Sequence, residues 1–325
     1  MMSRGALDGA IAPLLGHREP IRDWMRANIT LVKQRLVSDG VVILRGFCAT
    51  DPVAAQEALA LLGGDLLDDA YWSTPRTNIA GKTFSATEMA PDRTISLHSE
   101  MSYMAAWPRL LAFHSLEVAD EGGATTICNL DDASAALSDI LAPFATKCVT
   151  YRRFYHSGID IPWKTAFRTD DPADVEATAA RVGMRFEWLP GNVLMTEHSA
   201  QGCVTAEDGR LLWFNQSNLF HPAALAPKAR EQLMMLLGAD RLPRQSFHGD
   251  GSAIAPETIE HVNQVLDNLT YEMEWQPHDL VLIDNMRFLH GRRPFSGGTR
   301  RLFVAMADKQ TERRRTPLFA DELVS

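Results

Sequence analysis

Leu97-His98-Ser99-Glu100-Met101 sets an imidazole and a carboxylate two residues apart between apolar neighbours. On a strand, positions i and i+2 share a face, so both groups can reach one point. Far downstream, Phe288-Leu289-His290-Gly291 offers another imidazole behind an apolar run. Two histidines and one carboxylate bind one face of a divalent iron and leave the opposite positions open to substrate and oxygen. His98, Glu100 and His290 are therefore the candidate metal ligands, and the chemistry they suggest is that of a non-haem Fe(II) oxygenase.

Spacing alone is weak support. With 10 His and 41 acidic residues in 325, chance supplies about one His-x-Asp/Glu triplet. The chain has three. His17-Arg18-Glu19 precedes the first helix in a charged segment, and His248-Gly249-Asp250 falls in a Gly/Ser-rich loop. Only His98/Glu100 has a long apolar run behind it, and only a closed sheet would carry His290 to it.

The rest of the chain must supply that sheet. From Pro20 to Val37 the apolar residues recur at helical spacing, and Val41 to Leu44 is a β-branched run that predicts a core strand. Asp51-Pro52 opens a second helix, closed by Gly63-Gly64. Residues 65–96 lack periodicity and predict a functional loop or lid. A strand is expected over Arg109–Val118, turned by Gly122-Gly123 into a hairpin partner over Ala124–Cys128. Further short helices and strands fill the middle third. The closing strands are Asp279–Ile283, the His290 segment and Thr299–Ala307. This order predicts a mainly β protein with flanking helices, a double-stranded β-helix or cupin-like jelly roll. No repeat or linker marks a boundary, so residues 1–325 are expected to form one domain.

Composition narrows the function further. The chain is 46% hydrophobic and 22% charged, ordinary for a protein with a full core. A net charge of −9 lacks the basic footprint that nucleic acid binding needs. Cys48, Cys128, Cys148 and Cys203 are scattered without a CxxC, which argues against a zinc cluster or disulfide framework and for a reducing, cytoplasmic setting. No signal peptide or membrane span is expected.

The HSE triplet, Gly122-Gly123-Ala124-Thr125, the segment Ile283 to Gly291 and Arg301 together resemble the Fe(II)/2-oxoglutarate dioxygenases of the TauD/TfdA family. Within it, Thr74-Pro75-Arg76, Gly81-Lys82, the HSEMSY run and Trp213-Phe214-Asn215-Gln216 look most like SyrP-like amino acid hydroxylases. The resemblance implies Fe(II) on His98, Glu100 and His290, with 2-oxoglutarate as cosubstrate and O2 as oxidant. Arg301 would clamp the far carboxylate of 2-oxoglutarate and Thr125 would add a hydrogen bond. A guanidinium suits that role because its planar fork matches a carboxylate. Arg300 is expected on the opposite face of the strand, in solvent.

Two departures qualify the resemblance. Glu100 stands where many members have aspartate, and retaining a carboxylate argues against halogenation. Ala305 stands where taurine-type enzymes carry a sulfonate-binding arginine, so a sulfonate substrate is not expected. The implied substrate is an amino acid or derivative, free or held on a peptidyl carrier protein, hydroxylated at an unactivated C–H bond. Arg76, Asn215, Gln216 and Arg287 are the polar candidates for gripping it. The basic run Arg313-Arg314-Arg315 is a candidate carrier contact. Desaturation, catabolic oxidation of another small acid, a non-catalytic metal-binding jelly roll and zinc hydrolysis stay open as alternatives.

Overall fold

The computed structural model describes residues 11–68, 76–86 and 89–319; Thr74 and Pro75 of the resemblance lie outside them. Two antiparallel layers carry the site. Their strands are β1 (Val41–Arg45), β2 (Thr83–Ser85), β3 (Ile95–His98), β4 (Trp107–Glu117), β5 (Thr125–Asn129), β6 (Tyr271–Met273), β7 (Leu280–Asp284), β8 (Phe288–Arg292) and β9 (Arg301–Gln310). The large sheet runs Leu14–Leu15, β1, β7, β4, β9, β2, Asn78–Ala80, and the small one β6, β5, β8, β3. This is the double-stranded β-helix that the strand order predicts.

Strands of the large sheet are apolar on both faces because both are covered. Val42, Leu44, Leu110, Ala112, Leu280 and Leu282 meet the helices α1 (Ile21–Ala27), α2 (Ile29–Asp39) and α3 (Ala54–Leu61) on one side. Val41, Ile43, Leu111, Phe113, Val281 and Ile283 belong to the core on the other side. Each fully buried aliphatic side chain contributes about 1.5–3 kcal/mol. The alternation therefore fixes the register strongly, since a slip of one residue would exchange the faces.

Three expectations are corrected. The single helix over Pro20–Val37 is two helices, broken at Asn28, whose side-chain amide donates to the Trp24 carbonyl at 2.9 Å. A short polar side chain that competes for backbone groups is a sufficient cause of the break. The expected hairpin across Gly122-Gly123 is a crossover instead: β4 lies in the large sheet and β5 in the small one. The 65–96 segment is not wholly irregular, since Asn78–Ala80 pairs with β2.

An insertion builds a further sheet, ordered Arg185–Leu189, Val193–Ala200, Val149–Tyr155, Arg244–His248. Its Tyr151 hydroxyl accepts from the Gln216 backbone N–H at 2.9 Å, fixing the segment that faces the metal ligands. Among the described residues no helix is long and apolar enough to cross a membrane.

Candidate active site

β8 pairs antiparallel with β3 so that His290 stands directly opposite His98, with ring centroids 4.5 Å apart. Distant parts of the chain thus meet as cross-strand neighbours. Glu100 is not on the strand as the i, i+2 reading assumes; β3 ends at His98 and Glu100 lies in the turn beyond. Its place is set by Asn285, in the tight turn between β7 and β8. Asn285 Oδ1 accepts from Glu100 N at 2.7 Å, while Nδ2 donates to Glu100 O at 3.0 Å and Pro108 O at 2.8 Å. The turn itself is anchored beneath by Arg109, which grips Asp284 through two bonds of 2.8 Å.

The ligand atoms of His98, Glu100 and His290 all lie within 4.8 Å of one another, and all three residues are buried. His98 Nδ1 is 2.9 Å from the Ser96 carbonyl. A carbonyl only accepts, so Nδ1 carries the proton and Nε2 keeps its lone pair. Burial, reinforced by the neighbouring His290, brings His98 down to about 4, so the ring is neutral near pH 7. Burial would raise Glu100, but the Arg76 guanidinium and the two imidazoles outweigh it and hold the carboxyl well below the usual range. A neutral imidazole and an ionised carboxylate are the forms that bind metal.

Beside this set lies a small cavity lined by Arg76, Thr125, Arg292 and Arg300 together with the two histidines. Arg300 Nε donates to the Gly123 carbonyl at 3.2 Å, and its guanidinium stacks on Phe295 at 5.6 Å. Burial, with Arg292 nearby, lowers Arg300 to about 10, which still leaves it charged at neutral pH. Gly123 has φ +76°, and a Cβ there would come within 3.1 Å of the Arg300 side chain, so glycine is what lets the arginine pass. Thr125 Oγ1 accepts from Trp275 Nε1 at 2.9 Å, leaving the hydroxyl proton for a ligand.

It is thus Arg300, expected in solvent, that lines the cavity, and Arg301 that lies outside it. Arg301 is half exposed and pairs with Glu117 at 2.8 Å, away from the cavity. β9 starts irregularly, with Arg301 opposite Glu117 and Leu302 opposite Ser115. Arg300 and Leu302 line the cavity as i, i+2 neighbours and Arg301 between them faces outward, so the alternation holds and it is the position carried over by resemblance that differs by one residue.

The substrate candidates divide in the same way. Arg76 donates to Glu100 Oε2 at 2.7 Å and lines both this cavity and a larger one of about 230 Å³. Gln216 lines the larger cavity, with Nε2 spent on the Ser99 carbonyl at 2.9 Å. Asn215 is fully buried and serves the backbone, donating to Gly202 O and accepting from Ser217. Arg287 caps the C-terminus of α2 through the carbonyls of Val37 at 2.6 Å and Ser38 at 3.1 Å. Asn215 and Arg287 are thus absent from both cavities. Arg287→Ala is expected to cost about 1–2 kcal/mol of stability, the scale of a charged hydrogen bond to helix-end carbonyls, and to leave metal and cosubstrate affinity unchanged. Thermal unfolding and calorimetric titration check the two halves.

Asn285, Arg292 and Arg300 are the site residues that sequence reasoning missed. Arg292 follows His290 by two residues on the same strand and was legible as a same-face neighbour. It donates to the carbonyls of Met89, Ala90 and Arg93, tying that segment to the cavity.

The profile of the taurine catabolism dioxygenase TauD, TfdA family matches residues 10–306. The chain belongs to this family. It is 30% identical to the dapdiamide synthesis protein DdaC of Enterobacter agglomerans over 85% of this chain and 84% of that one. A clavaminate synthase-like protein of Arabidopsis thaliana is 26% identical, covering 80% and 79%. An asparagine oxygenase, solved with Fe(II), 3-hydroxyasparagine and succinate, shares the fold at TM-score 0.50 and 13% identity, covering 89% of this chain and 80% of that one.

Proposed function

We propose that this family member is an Fe(II)/2-oxoglutarate-dependent oxygenase that hydroxylates an unactivated C–H bond of an amino acid or amino-acid-derived substrate. The observation that carries the reading is the junction of the metal set with a cationic pocket: His98 and His290 line the same small cavity as Arg300 and Thr125. His98, Glu100 and His290 would hold the iron, and Arg300 with Thr125 the far carboxylate of 2-oxoglutarate. When bound, the two supply O2 activation coupled to decarboxylation, with succinate and CO2 as co-products.

The chain's own part is positional and electrostatic. Arg76 donates to Oε2 of Glu100, the oxygen that lies 3.6 Å from His290 Nε2, and so keeps the carboxylate ionised and turned to the histidines. Ser96 holds the His98 ring with Nε2 presented. Ile95, Phe113 and Leu302 line the cosubstrate cavity and exclude water, which strengthens each charge contact inside it. A metal-binding module without a cosubstrate would have no use for Arg300, whose half-buried guanidinium faces the cavity with no carboxylate among the described residues beside it. That favours the enzyme over the sensor.

Residues 1–325 are taken as one catalytic domain, since β7 feeds both core clusters with alternate side chains. A cytoplasmic setting goes with four cysteines that form no disulfide among the described residues. Docking of a carrier protein gains no support from Arg313-Arg314-Arg315. Arg315 grips Asp131 with two bonds, Arg313 contacts Cys148 and Arg314 donates to the Glu207 carbonyl.

The test is an anaerobic titration of metal-free protein with Fe(II) and then 2-oxoglutarate, watching for the weak visible charge-transfer band of a chelated 2-oxo acid. The band is expected only after both additions, and His290→Ala is expected to abolish it. Iron uptake without a band would favour the binding module; folded protein that takes up no iron would refute the assignment.

A further inference from the structure

The larger cavity adjoins the cosubstrate cavity, sharing Arg76, Ile95 and His98 with it but lined by Glu100 and not by Thr125 or Arg300. Its walls include Arg93, Arg244, Gln216, Leu219 and Leu225. Among the described residues lining either cavity, the one carboxylate is Glu100, and that group is committed to the metal set.

The charges do not balance without a further anion. With iron and cosubstrate in place, the ion and the guanidiniums of Arg76, Arg292 and Arg300 exceed Glu100 and the two cosubstrate carboxylates by two unit charges. Uncompensated charge in a water-poor site is costly, and a protein retains it where a ligand will supply the counter-charge. This excess is local, in a chain whose net charge is −9.

The arginines on the larger cavity are not equivalent. Arg244 is held by Asp160 through bonds of 2.8 and 3.0 Å, a carboxylate it shares with Arg153. Arg76 faces Glu100. Arg93 is exposed, and its guanidinium makes no ion pair or hydrogen bond with the described residues, although Arg292 pins its backbone carbonyl at 2.8 Å. The backbone is held and the charge is left available. Gln216, with its Nε2 spent on Ser99, has Oε1 to offer as an acceptor.

Resting on the oxygenase reading, we infer that the larger cavity selects a substrate by a carboxylate, held by Arg93 beside Arg76, with Gln216 Oε1 accepting an N–H of the same molecule. This deepens the amino-acid reading by separating its two forms. A free amino acid brings one of the two missing negative charges as its carboxylate, with its ammonium turned to Gln216 Oε1 and away from the arginines. A neutral aminoacyl thioester has lost it from the carboxyl carbon, so a carrier-bound substrate meets the requirement only with an acidic side chain. Anion recognition then comes from the 89–94 wall and not from β9, where Ala305 is fully buried.

The experiment uses the full-length protein loaded with Mn(II) and saturated with N-oxalylglycine, an oxygen-inert stand-in for 2-oxoglutarate. Loading is verified first by the Mn(II) resonance spectrum and by calorimetry; a protein that binds neither overturns the oxygenase reading and this inference with it. The probe is acetate labelled with 13C at the carboxylate, whose resonance broadens when it sits near the manganese. Saturable broadening is expected in the wild type, with affinity falling about tenfold in Arg93→Gln, the scale of one lost charge-assisted hydrogen bond. Acetamide, of similar shape and no charge, is expected to broaden only at much higher concentration. No saturable broadening in loaded wild type overturns the proposal. So does broadening that Arg93→Gln leaves unchanged, which would place acetate on the metal alone, or equal broadening of acetamide.

Discussion

Arg300→Ala abolishes useful binding of 2-oxoglutarate, whereas Arg301→Ala leaves it intact: this pair of results is expected from calorimetric titration of the metal-loaded variants. Arg300 enters the cavity beside His98 and His290, while Arg301 lies outside on Glu117. Truncating one partner of a buried, hydrogen-bonded charge pair costs about 2–5 kcal/mol. At about 1.4 kcal/mol per decade, the loss is at least about thirtyfold and reaches several thousandfold. Arg300→Lys is expected to recover only part, since an ammonium cannot reproduce the planar fork. The fold should survive, because without a ligand Arg300 is a desolvated cation whose removal relieves the protein. A loss of cosubstrate with Arg301→Ala and not with Arg300→Ala would return the clamp to the outer residue.

The contrast between these neighbours shows where sequence reading stops. Ligand chemistry was legible at His98, Glu100 and His290 because few residue types bind iron and an apolar run flanked each histidine. The strand order likewise predicted the double-stranded β-helix. What the resemblance could not fix was the exact position of the arginine: Arg300 and Leu302 share the cavity face and Arg301 between them faces outward, at the irregular start of β9. Gly297 and Gly298, both at positive φ just ahead of β9, were the available sign that the strand begins irregularly. Gly123 was the complementary sign, its missing side chain making room for Arg300.

Asn215 and Arg287 lie off both cavities for another reason. Both are polar residues near resemblance motifs, and both turned out to satisfy backbone groups at the ends of elements. Buried backbone groups must be paired, and such demands outnumber substrate contacts in any fold. The same rule makes Asn285 part of the site. It touches no candidate ligand atom, yet it fixes the backbone of Glu100 in a turn where no strand ladder does so.

Asn285→Ala should accordingly damage stability and metal binding together. The side chain is fully buried and makes three hydrogen bonds, to Glu100 N, Glu100 O and Pro108 O. At about 1 kcal/mol each, and more where a buried partner is left unpaired, their loss destabilises the protein by about 3 kcal/mol or more. Residues that orient metal ligands from behind typically change metal affinity by about 10–100-fold, and that is the expected loss here. Asn215→Ala is the matching control. It also removes buried hydrogen bonds, to Gly202 and Ser217, and should lower the unfolding temperature, but none of them reaches a ligand. Folded Asn215→Ala should therefore bind Fe(II) with wild-type affinity. Denaturant titration measures the first effect in both variants, and competition for Fe(II) against a chelator below the unfolding temperature measures the second. Equal metal affinities would reduce Asn285 to a turn stabiliser, whereas a loss confined to Asn285→Ala would mean that the β7–β8 turn holds the carboxylate ligand as surely as strand pairing holds the two histidines.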